Sequence, residues 1–189
     1  MTDRYKDNPT RYQNKIDEYS AAFKSETTAL LHLLKEIILE SNATGAVNYD
    51  TNDVDTAIAG VSLLGGGMMC ENFITACHPG SGSAIWDYMY EKNDDYFVTN
   101  LGTIFPRLPS SVVTKFQTVY RHVDPDTKQL VWGYLHSLVC CAIYYLHYRR
   151  YPARNSGGNK CYVLSSYLSQ VNIVSVYQKW KDRVTLSFD

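Results

Sequence analysis

His136 and Cys140 stand four residues apart, the spacing that places two side chains on one helix face, one turn from each other. An imidazole and a thiolate in that register can hold zinc. A structural zinc site needs four protein ligands, and the nearest second pair in kind is Cys77-His78. Two loose pairs fall short of a zinc signature. The simpler expectation is a weakly polar helix face, continued by Tyr144 and His147, that a second layer of the fold covers. A metal-binding protein or enzyme built on His136 and Cys140 stands as an alternative, and no cofactor is expected. Five histidines and five cysteines allow many nucleophile–base pairs, yet no Gly-x-Ser-x-Gly elbow selects one.

Two stretches are rich in glycine, Gly65-Gly66-Gly67 and Gly80-Ser81-Gly82-Ser83. Neither continues into the Gly-Lys-Ser/Thr of a phosphate loop, so helix breaks and close helix approach explain them better. The carboxylates Asp50, Asp53 and Asp55 lack the glycine and terminal glutamate of a calcium loop. With Asp94 and Asp95 they read as helix-start charges. The run His147-Tyr148-Arg149-Arg150-Tyr151-Pro152-Ala153-Arg154, ending at Lys160, interleaves cations with tyrosines. Such a run can contact phosphates and stack on bases. It therefore marks Arg149, Arg150, Arg154 and Lys160 as the candidate surface for an anionic partner. Favourable charge at a helix C-terminus followed by a solvated loop accounts for the same residues and is the stronger reading.

The charge distribution gives that surface its context. The chain has 189 residues and a net charge of -1. Residues 1–40 carry 6 positive and 7 negative charges, residues 41–106 carry 1 and 8, and residues 107–189 carry 11 and 4. The near-zero total hides an acidic middle and a basic last third. Either the basic part meets an anionic partner, or the two parts pair with each other. With 45% hydrophobic and 20% charged residues, the composition excludes a disordered charged tail. The start, Met1-Thr2-Asp3-Arg4-Tyr5-Lys6, lacks the apolar stretch of a secretory leader. Cys70, Cys77, Cys140, Cys141 and Cys161 form no regular framework. Reduced thiols in an intracellular protein of the cytoplasm or nucleus are expected, with the Asn42-Ala43-Thr44 sequon idle.

The elements that must position these residues follow from periodicity. Ile16, Phe23, Leu30 and Ile37 recur every seven residues, with Tyr19 and Leu33 or Leu34 between them, which predicts a long amphipathic helix over 10–41. A second helix opens at Asn52 or Asp53 with Val54, Ile58, Val61 and Leu64 on its face, and the triple glycine ends or kinks it. Met69, Phe73 and Cys77 mark a third helix. Two short ones cover 84–91 and 94–105. Another carries Val112, Phe116, Val119 and Tyr120. Asp124-Pro125-Asp126 is a start signal for a helix reaching about residue 150. Its apolar residues fill most of its circumference, so it belongs at the centre of the fold. The apolar stretch from Leu130 to Leu146 is 17 residues and holds Gly133, His136 and Ser137, short of the roughly 20 uniform residues of a membrane span. A linker over 149–160, a final helix with Leu164, Leu168, Val171 and Val174 or Ser175 on one side, and a short alternating strand at 184–188 complete the expectation. The predicted architecture is all-α, a single globular domain over 1–189 arranged as a bundle around the helix at about 125–150.

Two stretches are similar to a known kind of protein when taken together. They are Ile85-Trp86-Asp87-Tyr88-Met89 with Asn93-Asp94-Asp95-Tyr96-Phe97 and Asn100, and Val131-Trp132-Gly133-Tyr134-Leu135-His136-Ser137-Leu138-Val139 with Ile143 and Tyr145. Residues 84–148 thereby resemble uncharacterised helical proteins of large nucleocytoplasmic DNA viruses. In that pattern basic residues often follow the Leu-Val, where this chain has Cys140-Cys141. The resemblance implies a virus-encoded protein, associated with the virion, and brings no activity or catalytic residue with it. The expected function is non-enzymatic and works through contacts with a protein partner, viral or self. Sixteen tyrosines suit such contacts. A nucleic-acid-binding accessory role for the basic last third is the other expectation.

Overall fold

The computed structural model describes residues 9–77, 85–149 and 173–183. These form eight helices. α1 (Pro9–Ala43) matches the expected amphipathic stripe, with Ile16, Tyr19, Phe23, Leu34 and Ile37 all buried. It ends where Gly45 takes a positive φ of 74°, a conformation glycine adopts without penalty. Asn42 then pins the following loop from both sides, donating to the Tyr49 carbonyl at 2.7 Å and accepting from the Tyr49 amide at 2.9 Å.

α2 (Asn52–Leu63) and α3 (Gly66–Cys77) meet at a 112° bend centred on Leu64 and Gly65. The expected cap at Asn52 or Asp53 differs in detail. Asn52 is already helical, and its amide is held by the Asp50 carboxylate at 3.1 Å. Only Gly65 of the three glycines lies in the bend. Gly66 serves close approach instead, because a Cβ there would sit 2.1 Å from the backbone oxygen of Ser20 on α1. The bend is fastened by Lys24, whose ammonium donates to the carbonyls of Ser62 at 2.7 Å and Leu64 at 3.0 Å.

α4 (Ile85–Tyr90) and α5 (Asp94–Ile104) are separated by Lys92 and Asn93, as their sequence predicts. Asn93 caps α5 by accepting from the Tyr96 amide at 2.8 Å. α6 (Ser110–Tyr120) buries Val112, Phe116, Val119 and Tyr120. α7 (Pro125–Arg149) is capped by Asp124, which accepts from the amides of Asp126 and Thr127 at 2.9 Å each. α8 (Ile173–Trp180) closes the described chain.

The fold is all-α, and α7 is its central helix. Every residue from Cys141 to Leu146 is buried, so this part of α7 is covered on all sides. α1 lies along it most extensively, α3 and α4 flank it, and α8 covers another face. Among the described residues α7 alone is, unbent, long and apolar enough to cross a membrane, and 61% of its most apolar stretch is buried within the fold. The break at 78–83, most of the linker over 149–160, the first part of the predicted final helix and the strand at 184–188 lie outside the described residues.

Candidate functional site

The His136–Cys140 face of α7 points at the end of α8. His136 Nε2 lies 3.0 Å from the Met89 carbonyl and 3.2 Å from Nη1 of Arg183. That guanidinium nitrogen also donates to the Tyr90 carbonyl. The imidazole stands edge-on to Trp180, with ring centroids 5.2 Å apart. Burial pulls the His136 pKa below its usual value, and the charges of Arg183 and Lys92 pull the same way against the bond to Met89. Cys140 faces the Arg183 carbonyl at 3.8 Å, and burial pushes its thiol up to about 11. A zinc ion would need a thiolate here and would meet a guanidinium beside its histidine. Among the described residues no group of three or more His, Cys, Asp or Glu side chains converges on one point. The covered-face reading is thus the better account of His136 and Cys140. Tyr144, further along the same stripe, stacks on Tyr19 of α1 at 4.8 Å. His78 lies outside the described residues.

The other thiols among the described residues are also placed for burial rather than reactivity. Cys70 and Cys77 are fully buried, and desolvation raises both well above the ordinary thiol value. Cys141 is pushed up to about 12, chiefly by burial and then by its neighbour Cys140.

Among the described residues, four cations of the basic last third reach carboxylates of the acidic middle. Lys115 on α6 pairs with Asp53 at 2.8 Å, reaches Asp50 at 3.8 Å, and donates to the Asp50 carbonyl at 2.7 Å. Lys128 lies 3.8 Å from Asp94, and Lys179 pairs with Asp87. Arg149 is turned into the fold, with Nε 3.5 Å from the Glu71 carboxylate and 3.3 Å from the Tyr145 hydroxyl, which itself donates to Glu71 at 2.7 Å. Burial works to lower the Arg149 pKa, but Tyr145 and Glu71 outweigh it and the net shift is upward. Of the four candidate residues for an anionic partner, Arg149 is therefore engaged internally. Arg150, Arg154 and Lys160 lie outside the described residues.

Asp94 does more than start α5. Its Oδ1 accepts from the Tyr120 hydroxyl at 2.6 Å and from the Trp132 indole at 2.8 Å, joining α5, α6 and α7. Burial, reinforced by the Asp94 carboxylate, raises the Tyr120 pKa.

One opening in the described fold is apolar. A cavity of about 290 Å³ lies between α1, α2, α3 and the α5–α6 connection, walled by Phe23, Ala57, Val61, Phe73, Phe105 and Leu108. Asn72 and Arg107 also line it. Periodicity does not reveal this site, because its walls come from four separated stretches. The one local signal is Arg107, a lone cation in the proline-bracketed stretch Pro106 to Pro109.

Beside this cavity the α2–α3 bend displays apolar side chains. Leu63 is 87% exposed and Met68 is 48% exposed. Comparison with protein-family models, with curated proteins and with solved structures returns no match to this chain.

Proposed function

We propose that the chain is a binding protein that works through contacts with another protein rather than through catalysis. The observation that carries this is the α2–α3 bend. Leu63 and Met68 are held out in solvent by a backbone that Lys24 fastens through two carbonyls. An exposed leucine on a fixed corner offers a contact without the entropy of ordering a loop first. The thiols of Cys70 and Cys77 and the central histidine support the same reading, since burial suppresses their nucleophilicity and basicity. The likeness of residues 84–148 to helical proteins of large nucleocytoplasmic DNA viruses extends the proposal to a virus-encoded protein that works inside the host cell and enters the virion.

A photo-crosslinking residue at position 63 tests it in infected cells. A discrete adduct from position 63, absent with the same group at the exposed Lys181, is the expected result. Loss of that adduct in Met68→Asp would tie it to the bend. Identical adduct patterns from positions 63 and 181 would defeat the proposal. Mass spectrometry of purified particles reads the virion part separately.

A further inference from the structure

The cavity between α1, α2, α3 and the α5–α6 connection has a chemistry of its own. Its walls are almost wholly apolar, and three of its lining residues are phenylalanines. The two threonines in the lining, Thr27 and Thr56, turn their hydroxyls to carbonyls of their own helices, Phe23 at 2.8 Å and Asn52 at 2.8 Å. That leaves two polar groups for a ligand. The half-buried Asn72 amide has no hydrogen-bond partner among the described residues, and the exposed Arg107 has no carboxylate within ion-pair distance there. The cations of α6, α7 and α8 that do pair find their carboxylates on the acidic middle of the chain. Arg107, like Arg121, Lys181 and Arg183, has no carboxylate within ion-pair distance among the described residues, and of these four it alone lines the apolar cavity.

We infer that this cavity is a binding site for a free medium-chain carboxylic acid. The apolar walls take the alkyl chain, and the carboxylate lies toward Arg107 and Asn72. The volume sets the length: 290 Å³ is at the lower end of small-molecule sites, roughly 300–1,000 Å³. A site at that lower end suits an alkyl chain of medium length. The head group follows from the single guanidinium, whose planar fork matches a carboxylate and balances one negative charge. A phosphate dianion would leave charge uncompensated. The inference stands apart from the protein contact at the α2–α3 bend, and neither needs the other.

Calorimetric titration of the full chain with decanoate and with decanol reads the two parts separately. Decanoate is expected to bind once per chain, roughly 3–5-fold more tightly than decanol, the gain an exposed ion pair supplies. Arg107→Ala removes that difference and leaves decanol binding unchanged. Ala57→Phe, which pushes a ring into the cavity, weakens both ligands at least about tenfold, the effect of 1.4 kcal/mol. Gly60→Leu is the second filler if Ala57→Phe does not fold, because a Cβ at Gly60 meets open space. Absence of saturable binding overturns the inference. So does equal affinity for the acid and the alcohol, or decanoate binding that survives a folded filler variant.

Discussion

Trp180 is fully buried at the end of an eight-residue helix, and it decides whether α8 belongs to the core. Its ring meets Tyr90 edge-on at 5.5 Å and His136 at 5.2 Å. Truncating a buried tryptophan to alanine costs about 3–5 kcal/mol through lost burial and the cavity left behind. For a chain of this length that lowers the melting temperature by about 6–20 °C. The indole N–H of Trp180 has no hydrogen-bond partner among the described residues. Trp180→Phe therefore loses volume but also removes an unsatisfied buried donor, itself a penalty of about 1–3 kcal/mol, so its net effect should be under about 1 kcal/mol. A second readout isolates the cover over α7. Burial holds the His136 pKa below its ordinary value of about 6.5. The unfolded chain binds that proton first, so the stability contributed is present above about pH 6.5 and is lost as pH falls through the folded value. In Trp180→Ala the His136 titration, followed by its imidazole NMR signals, should move up toward the ordinary value. Thermal unfolding by circular dichroism gives the stability. A melting change under about 2 °C would show that α8 is not part of the cooperative core. A large melting change with an unmoved His136 titration would show that Trp180 is not what shields the imidazole.

Three further outcomes follow from named contacts. Gly66→Ala places a methyl 2.1 Å from the Ser20 backbone oxygen, and the forced separation of α3 from α1 should cost at least about 1–3 kcal/mol in urea unfolding, whereas Gly65→Ala, with open space around it, should not. Lys115→Ala removes the partner of Asp53, whose side chain and that of Lys115 are 20% and 14% exposed, and should cost about 1.5–3 kcal/mol. Burial works to raise the Asp53 pKa, but bonds from Lys115 and Ser111 outweigh it and lower it, so the stabilisation is present above about pH 3.9 and is lost as pH falls through the folded value; the variant should lack that acid-side loss in melting curves taken against pH. In a mobility-shift assay at about 50 mM salt the full chain should give no retarded nucleic-acid complex, and a complex that weakens steeply by about 200 mM would return the basic last third to consideration.

The helices were legible where local chemistry and burial agree. α1 and α7 declare themselves through long apolar periodicity, and Asn93, Asp124 and the prolines around residues 106–109 set boundaries that the fold respects. What the sequence concealed is what distant segments do to each other. Asp94 reads locally as a helix-start charge, yet it is also the shared acceptor of Tyr120 and Trp132, 26 and 38 residues away. Trp180 follows a β-branched stretch that weakens the helix signal, and only the approach of Tyr90 and His136 shows it as a buried anchor. Gly66 looks like part of a break, and only the approach of α1 shows why it must be glycine. The acid-binding cavity is invisible for the same reason, since no contiguous stretch contributes both its apolar walls and Arg107.

The split charge carried more structural information than any motif. An acidic middle set against a basic last third allowed two outcomes, a partner or an internal match. Among the described residues Lys115, Lys128, Arg149 and Lys179 each take a carboxylate from the acidic middle. These pairs differ in worth. Lys115–Asp53 and Arg149–Glu71 are partly shielded and hydrogen-bonded, whereas the side chains of Lys179 and Asp87 are 36% and 42% exposed, a setting in which an ion pair contributes at most about 1 kcal/mol. Their common effect is on specificity. Swapping the order of helices around α7 would separate these pairs and leave their charges unmatched, a penalty that apolar burial alone does not impose. With those four cations engaged within the fold, the apolar corner at Leu63 and Met68 and the cation of Arg107 at the rim of the apolar cavity are described groups still open to another molecule.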